Sequence, residues 1–224
     1  MQKNNFIIAI LLILFLSSCT NKKVQLPMFK LEGIPQIHNH SSVWVFYKIK
    51  DQDTLAVLNK NNKIINTNWI FNIDKRLTMD KVQPILTELQ INKNKPSMHK
   101  KGGTLNYYSY ADMSSDKISL IHFKPTTYIF TDIDYQNLLT NSVKNKIIEL
   151  EIKNDHLVLK DEKINNEQLL QRLETIQLND TLNNLKILLK YHKNTAYQNY
   201  LKSKAFLDKI TIPIDSTEYI YSLK

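Results

Sequence analysis

The sequence predicts an α+β fold of two small modules, each a mixed or antiparallel sheet with helices packed on one face. Three observations predict it. Strand-like runs with a period of two alternate with helix-like apolar stripes along the chain. A break at Pro125–Thr127 separates two such series. The charge changes at the same place, with 16 basic and 8 acidic side chains in residues 20–125 and 13 of each in 126–224. The chain of 224 residues is 42% hydrophobic and 23% charged, which suits a folded chain rather than a disordered one. The expected division is a signal peptide over 1–18, a tether over 19–40, a basic module over 41–125 and a neutral module over 126–224.

Taken in order, Val43 to Lys50 is rich in β-branched and aromatic residues, Asp51-Gln52-Asp53 is a turn signal, and Thr54 to Leu58 completes a hairpin. Lys63 to Asn66 and Asn68 to Ile73 read as further strands. Val82, Ile85, Leu86 and Leu89 then form a helical stripe, with Thr78 or Asp80 as its cap. A polar loop over 92–106 leads to strands at Leu105 to Tyr110 and Ile118 to Lys124. In the second half, strands are expected at Tyr128 to Ile133, Lys146 to Lys153 and His156 to Lys160. Asn165 and Gln168 have capping-box spacing before a helix bearing Leu169, Leu170, Leu173 and Ile176. Leu185 to Tyr191 is strand-like, Thr195 is the expected cap of a helix through Ala205, and Lys209 to Ile214 and Glu218 to Tyr221 close the chain as short strands.

The N-terminus is an address. Lys3 precedes an apolar run from Phe6 to Leu16, 11 residues long. A spanning helix needs about 20, so the run has the size of a signal-peptide core. Leu16-Ser17-Ser18-Cys19 follows and resembles the lipobox of bacterial lipoproteins. The resemblance implies cleavage before Cys19 and acylation of its thiol and amine, and two or more acyl chains anchor a protein stably. Cys19 is the only cysteine, so disulfides are excluded. Thr20 stands next where an aspartate would retain many such proteins in the inner membrane, so the resemblance implies the outer membrane of a Gram-negative envelope.

From Lys146 the residues IIELEIKNDHLVLKDEKINNEQLLQRLE and then LKILLKYHKNTAYQNYLKSKAFLDKITI resemble the periplasmic domain of the ExbD/TolR biopolymer-transport family. The shared pattern is strand, turn, strand, short turn, a helix with paired leucines, strand, helix, strand. His156 departs from the glycine usual in the turn, and a lipoprotein signal replaces the family's functional membrane helix. The resemblance therefore implies a periplasmic recognition module, in contact with peptidoglycan or another envelope protein, and not the motor function.

Candidate chemistry is sparse. The three glycines exclude phosphate cradles of the GxGxxG and GxxxxGK[ST] kinds. Within the loop NKNKPSMHKKGG, Lys93, Lys95, His99, Lys100 and Lys101 are candidates for binding an anion or glycan, including anionic lipid. His38 and His40 have H-x-H spacing, and Asp132 and Asp134 are similarly placed, but no third ligand is spaced for a metal, so neither metal nor cofactor is expected. Trp44 and Phe46 share a strand face and are expected in the core. Nucleic acid is not an expected partner of a protein outside the cytoplasm with two arginines. The expected role is a non-enzymatic binding or scaffolding lipoprotein, anchored to the membrane through Cys19 and accessory to an ExbD/TolR-type transport or envelope-integrity system. The alternative is an envelope hydrolase using histidine and Asp or Glu side chains, which requires a histidine and an acid to meet in a cleft.

Overall fold

The structure is a computed structural model that describes residues 23–59, 61–94, 103–130, 146–178 and 185–222. Cys19 and the signal region lie outside them, as do Lys95, His99, Lys100, Lys101, Asp132 and Asp134. The first half carries β1 (Met28–Phe29), β2 (His40–Lys50), β3 (Asp53–Leu58), β4 (Asn68–Ile73), α1 (Met79–Asn94), β5 (Asn106–Asp112) and β6 (Lys117–His122). The second carries β7 (Thr127–Phe130), β8 (Lys146–Ile152), β9 (Leu157–Leu159), β10 (Glu162–Ile164), α2 (Asn166–Leu178), β11 (Leu185–His192), α3 (Tyr197–Leu207) and β12 (Ile214–Tyr221). Two mixed sheets with helices make the α+β, two-module fold that the sequence predicts. No helix among the described residues is long and apolar enough to cross a membrane.

The first sheet runs β1-β5-β4-β2-β3, with β6 also on β5, and the second runs β10-β9-β8-β11-β12-β7. Within these, β3-β2-β4-β5 and β9-β8-β11-β12 match strand for strand. The outer pair is an antiparallel hairpin in each, and the next two pairings are parallel. In each, a helix carries the chain from the third strand of the set to the fourth. The two halves are thus one topological unit used twice, with β10 and α2 between β9 and β11 in the second copy.

The two crossover helices meet at their N-termini. A helix leaves its first amides without intrahelical partners. Here Met79 and Asp80 donate to the carbonyls of Thr195 and Lys193, both at 2.9 Å, and Tyr197 donates to that of Leu77 at 2.7 Å. Each half therefore caps the other's helix. That is why Thr195 is not the side-chain cap expected. Ala196 occupies the N-cap position, and the buried Thr195 hydroxyl has no partner. The Asn165–Gln168 capping box does form, with both reciprocal bonds at 2.9 Å.

The apolar interiors of the two modules run together, from Phe29, Val43 and Phe71 through Leu86 and Leu89 to Leu150, Leu189, Leu201 and Ile220. Beside the seam, within the second half, Lys204 donates to Glu218 at 2.5 Å, to Thr126 at 2.7 Å and to Tyr200 at 3.2 Å, while the Tyr200 hydroxyl donates to Glu218 at 2.8 Å. Burial pushes the Tyr128, Tyr191 and Tyr200 hydroxyls around this pair well above the usual phenol range.

Several expectations are corrected. Residues 25–34 are packed rather than part of a loose tether. Phe29 stacks on Tyr110 at 4.3 Å, and Ile34 exchanges backbone hydrogen bonds with Leu120. Residues 63–66 and 209–213 are not strands. Glu162–Ile164, whose first two residues stand at the short turn that the family resemblance implies, forms β10. The Lys160-Asp161 turn before it has positive φ at both residues, the hairpin geometry usually signalled by glycine or asparagine, which are absent here. Trp44 and Phe46 are not core. They stack 6.4 Å apart, half-exposed, on the face of the first sheet away from α1, while Val43 and Val45 point inward.

Candidate functional site

Among the described residues, a cleft in the second half has a volume of about 600 Å³. Three segments form it: the turn between β8 and β9, the β10–α2 junction, and one side of α3. The turn supplies Lys153, Asn154, Asp155 and His156; the junction supplies Lys163, Asn165, Asn166 and Gln168; and α3 supplies Asn199, Lys202 and Ser203. The wall is therefore mostly side-chain amides and ammonium groups, with Asp155 and Glu167 as its acids. A second hollow shares Lys153 to His156 and adds His192, Thr195 and Tyr221.

The turn is held rigidly. Lys153 donates its amide to the His156 carbonyl at 3.0 Å. The Asn154 amide oxygen accepts from the Ala196 backbone at 2.8 Å and from Asn199 at 3.4 Å, which fixes the turn to the start of α3. Asp155 accepts from His156 at 2.6 Å and from Lys163 at 3.4 Å. The bond from His156, joined by that from Lys163, draws the Asp155 carboxyl below its ordinary range. At the far end Tyr221 donates to Glu151, Lys153 pairs with the same carboxylate, and Lys153 donates to the Tyr221 hydroxyl at 2.7 Å. Burial and the Glu151 carboxylate push the Tyr221 hydroxyl up, and although burial opposes it, the bonds to Glu151 and Tyr221 raise Lys153.

Chemically, Lys163 and Lys202 offer exposed cations at the rim, the former beside Asp155, and the asparagine and glutamine amides offer both donors and acceptors. That combination suits a hydrophilic ligand with carboxylate, hydroxyl or amide groups. The cleft also holds one histidine–carboxylate pair, His156 with Asp155, and a hydroxyl, Ser203, on its wall.

The site expected from sequence is not assembled. Lys93 is 4% exposed and turned inward, donating to the Leu105 carbonyl at 2.9 Å and the Asn106 side chain at 2.7 Å, with its ammonium 5.0 Å from the Trp69 ring centroid. It closes the end of α1 and is not a surface cation. Lys95, His99, Lys100 and Lys101 lie outside the described residues. His40 bonds the Ile37 carbonyl at 3.1 Å on an exposed strand end, and among the described residues no three histidines, cysteines or acids gather as a metal site. His122 is half-buried against Tyr107, and that burial lowers its pKa. The cleft residues were missed because they converge only in three dimensions. The turn after the first strand of this half and the Asn165–Gln168 box were the parts signalled locally.

No family model matches the chain, and comparison with curated proteins and with solved structures returns no match.

Proposed function

We propose that the chain is a lipid-anchored cell-envelope protein with a non-enzymatic binding or scaffolding role. In this reading acylated Cys19 tethers it to the membrane, in the outer membrane of a Gram-negative envelope, and the folded body works in the periplasm. The observation that carries the binding role is the cleft of about 600 Å³, where amides and lysines from three segments converge. Peptidoglycan offers the carboxylates, hydroxyls and amides such a wall recognises; another envelope protein is the other candidate partner. The order of elements in the second half supports the ExbD/TolR-type resemblance and hence an accessory place beside such a system.

The test is made on the acylated protein purified from native membranes. Mass spectrometry is expected to find acyl chains on Cys19, and Cys19→Ser is expected to leave the membrane fraction. Lys163→Ala with Lys202→Ala is expected to weaken co-sedimentation with purified sacculi at least tenfold, without loss of the cooperative thermal transition. Undiminished binding by the double variant removes the cleft as the binding site, and a membrane-bound serine variant removes the anchor.

A second reading rests on the His156–Asp155 pair in the same cleft, which is the histidine–acid meeting an envelope hydrolase requires. It expects hydrolysis of sacculi or peptide substrates that His156→Ala abolishes. Unaltered substrate after prolonged incubation with the wild type rejects it.

A further inference from the structure

The place where the chain enters the fold determines which end of the body faces a bilayer. Gln25 donates its amide to Asp74 at 3.1 Å and accepts from the Lys75 amide at 2.7 Å. Asp74 and Lys75 lie just past the end of β4, where Asp74 in turn donates to the Val45 carbonyl at 3.1 Å. The entry point is therefore at the carboxyl end of β4 and β2. From that same end the β2–β3 hairpin projects past β4, further than the neighbouring β5–β6 hairpin, which continues from the last β4 pair at Tyr108 to Asp112–Lys117. The pairing of β2 with β4 stops at Val45–Ile73, whereas its pairing with β3 continues to Lys50–Asp53.

The two lengths agree. Residues 46–50 extend the hairpin by about 16 Å beyond the sheet at ~3.3 Å per residue. Three residues separate Cys19 from Lys23, so the four Cα-to-Cα steps give a covalent reach of at most ~14 Å. The hairpin tip is also the kind of surface that sits at a headgroup layer. Ile49 is 61% exposed and Leu55 37%, flanked by exposed Lys48 and Lys50. At the same end Lys23, Lys75, Arg76 and Lys117 join Lys48 and Lys50 against Asp51, Asp53, Asp74, Asp112 and Asp116, leaving a small net excess that favours an anionic lipid surface.

We propose that the β2–β3 tip, centred on Ile49 and Lys48, rests on the anionic headgroup surface of the bilayer that holds the anchor. This rests on the lipoprotein reading above. It orients the body with the hairpin down and the opposite end of the first sheet, the turn carrying Ile64, away from the membrane. Ile64 is an internal control, because it is 62% exposed and lies before the amino end of β4.

Ile49→Cys and Ile64→Cys are made in the acylated protein, where the blocked Cys19 thiol leaves the new thiol as the single labelling site. Each is labelled with a nitrobenzoxadiazole fluorophore and reconstituted in vesicles of phosphatidylethanolamine and phosphatidylglycerol. The probe at 49 is expected to shift to the blue and be quenched by spin-labelled lipid at least twofold more than the probe at 64. Raising salt, or omitting phosphatidylglycerol, is expected to lessen that difference. Vesicle-bound acylated protein whose two probes respond alike overturns this proposal alone. Protein without acyl chains on Cys19 overturns the anchor, and this proposal with it. A tip probe that responds only when other envelope proteins are added overturns it in favour of a protein partner.

Discussion

Replacing Lys204 with methionine removes the cation beside the seam and leaves the Glu218 carboxylate, 1% exposed, with Tyr200 as its one remaining donor in that network. Breaking a buried pair from one side costs about 3–5 kcal/mol, because the surviving charge stays desolvated and uncompensated. The lost bond to Thr126 and the contact 5.1 Å from the Phe123 ring centroid act in the same direction, since both hold the segment joining the two halves. For a chain of this size each kcal/mol corresponds to about 2–4 °C, so Lys204→Met is expected to lower the Tm by about 6–20 °C. Urea unfolding followed by circular dichroism measures the same loss as a free energy. Replacing both residues by methionine is expected to recover most of it, because no buried charge remains. A Lys204→Met protein within 1 kcal/mol of wild type, or a double variant no better than the single, refutes the reasoning.

Two further outcomes follow from single groups. Asp74 is buried and accepts from Arg76 at 2.7 and 2.8 Å and from the backbone amides of Gln25 and Arg76. Burial alone raises a carboxyl, but these bonds outweigh it and hold Asp74 below its ordinary value. Its contribution is therefore present above the unfolded pKa near 4 and is lost as pH falls through the lower folded value, so Asp74→Asn should lose stability at pH 7 and begin to approach wild type only as pH falls below about 4 in a pH series of urea midpoints. At Gly33 an added Cβ would stand 2.9 Å from the Leu120 carbonyl oxygen and closer still to the Tyr110 hydroxyl, so Gly33→Ala should cost about 1–3 kcal/mol by thermal unfolding.

What could be read locally was read well where one segment carries its own signal. The Asn165–Gln168 box needs only two side chains three residues apart. The α1 stripe needs only its period. The signal for Lys93 was also present, since Val82, Leu86, Leu89 and Lys93 continue one buried stripe and the last position merely happens to be a lysine. The strand VWVFY is different. Both of its faces are apolar, so alternation alone leaves open which one meets a helix, and the choice of Val43 and Val45 over Trp44 and Phe46 is made by where α1 packs. The Lys160-Asp161 turn is signalled only weakly, because Asp161 tolerates positive φ whereas Lys160 rarely adopts it.

By itself the sequence determined the α+β composition, the approximate place of most strands and helices, the break near residue 125 and the shift from basic to neutral across it. These follow from periodicity, turn chemistry and charge, which act between near neighbours. Tertiary structure alone decided the rest: that the halves repeat one strand order, that each caps the other's helix across the Thr78–Ala196 bridge, that Lys204 is committed to Glu218 beside the seam, and that amides and lysines from three segments line one cleft. Those features depend on contacts between residues far apart in the chain, whose energies are set by burial and geometry that no local stretch encodes.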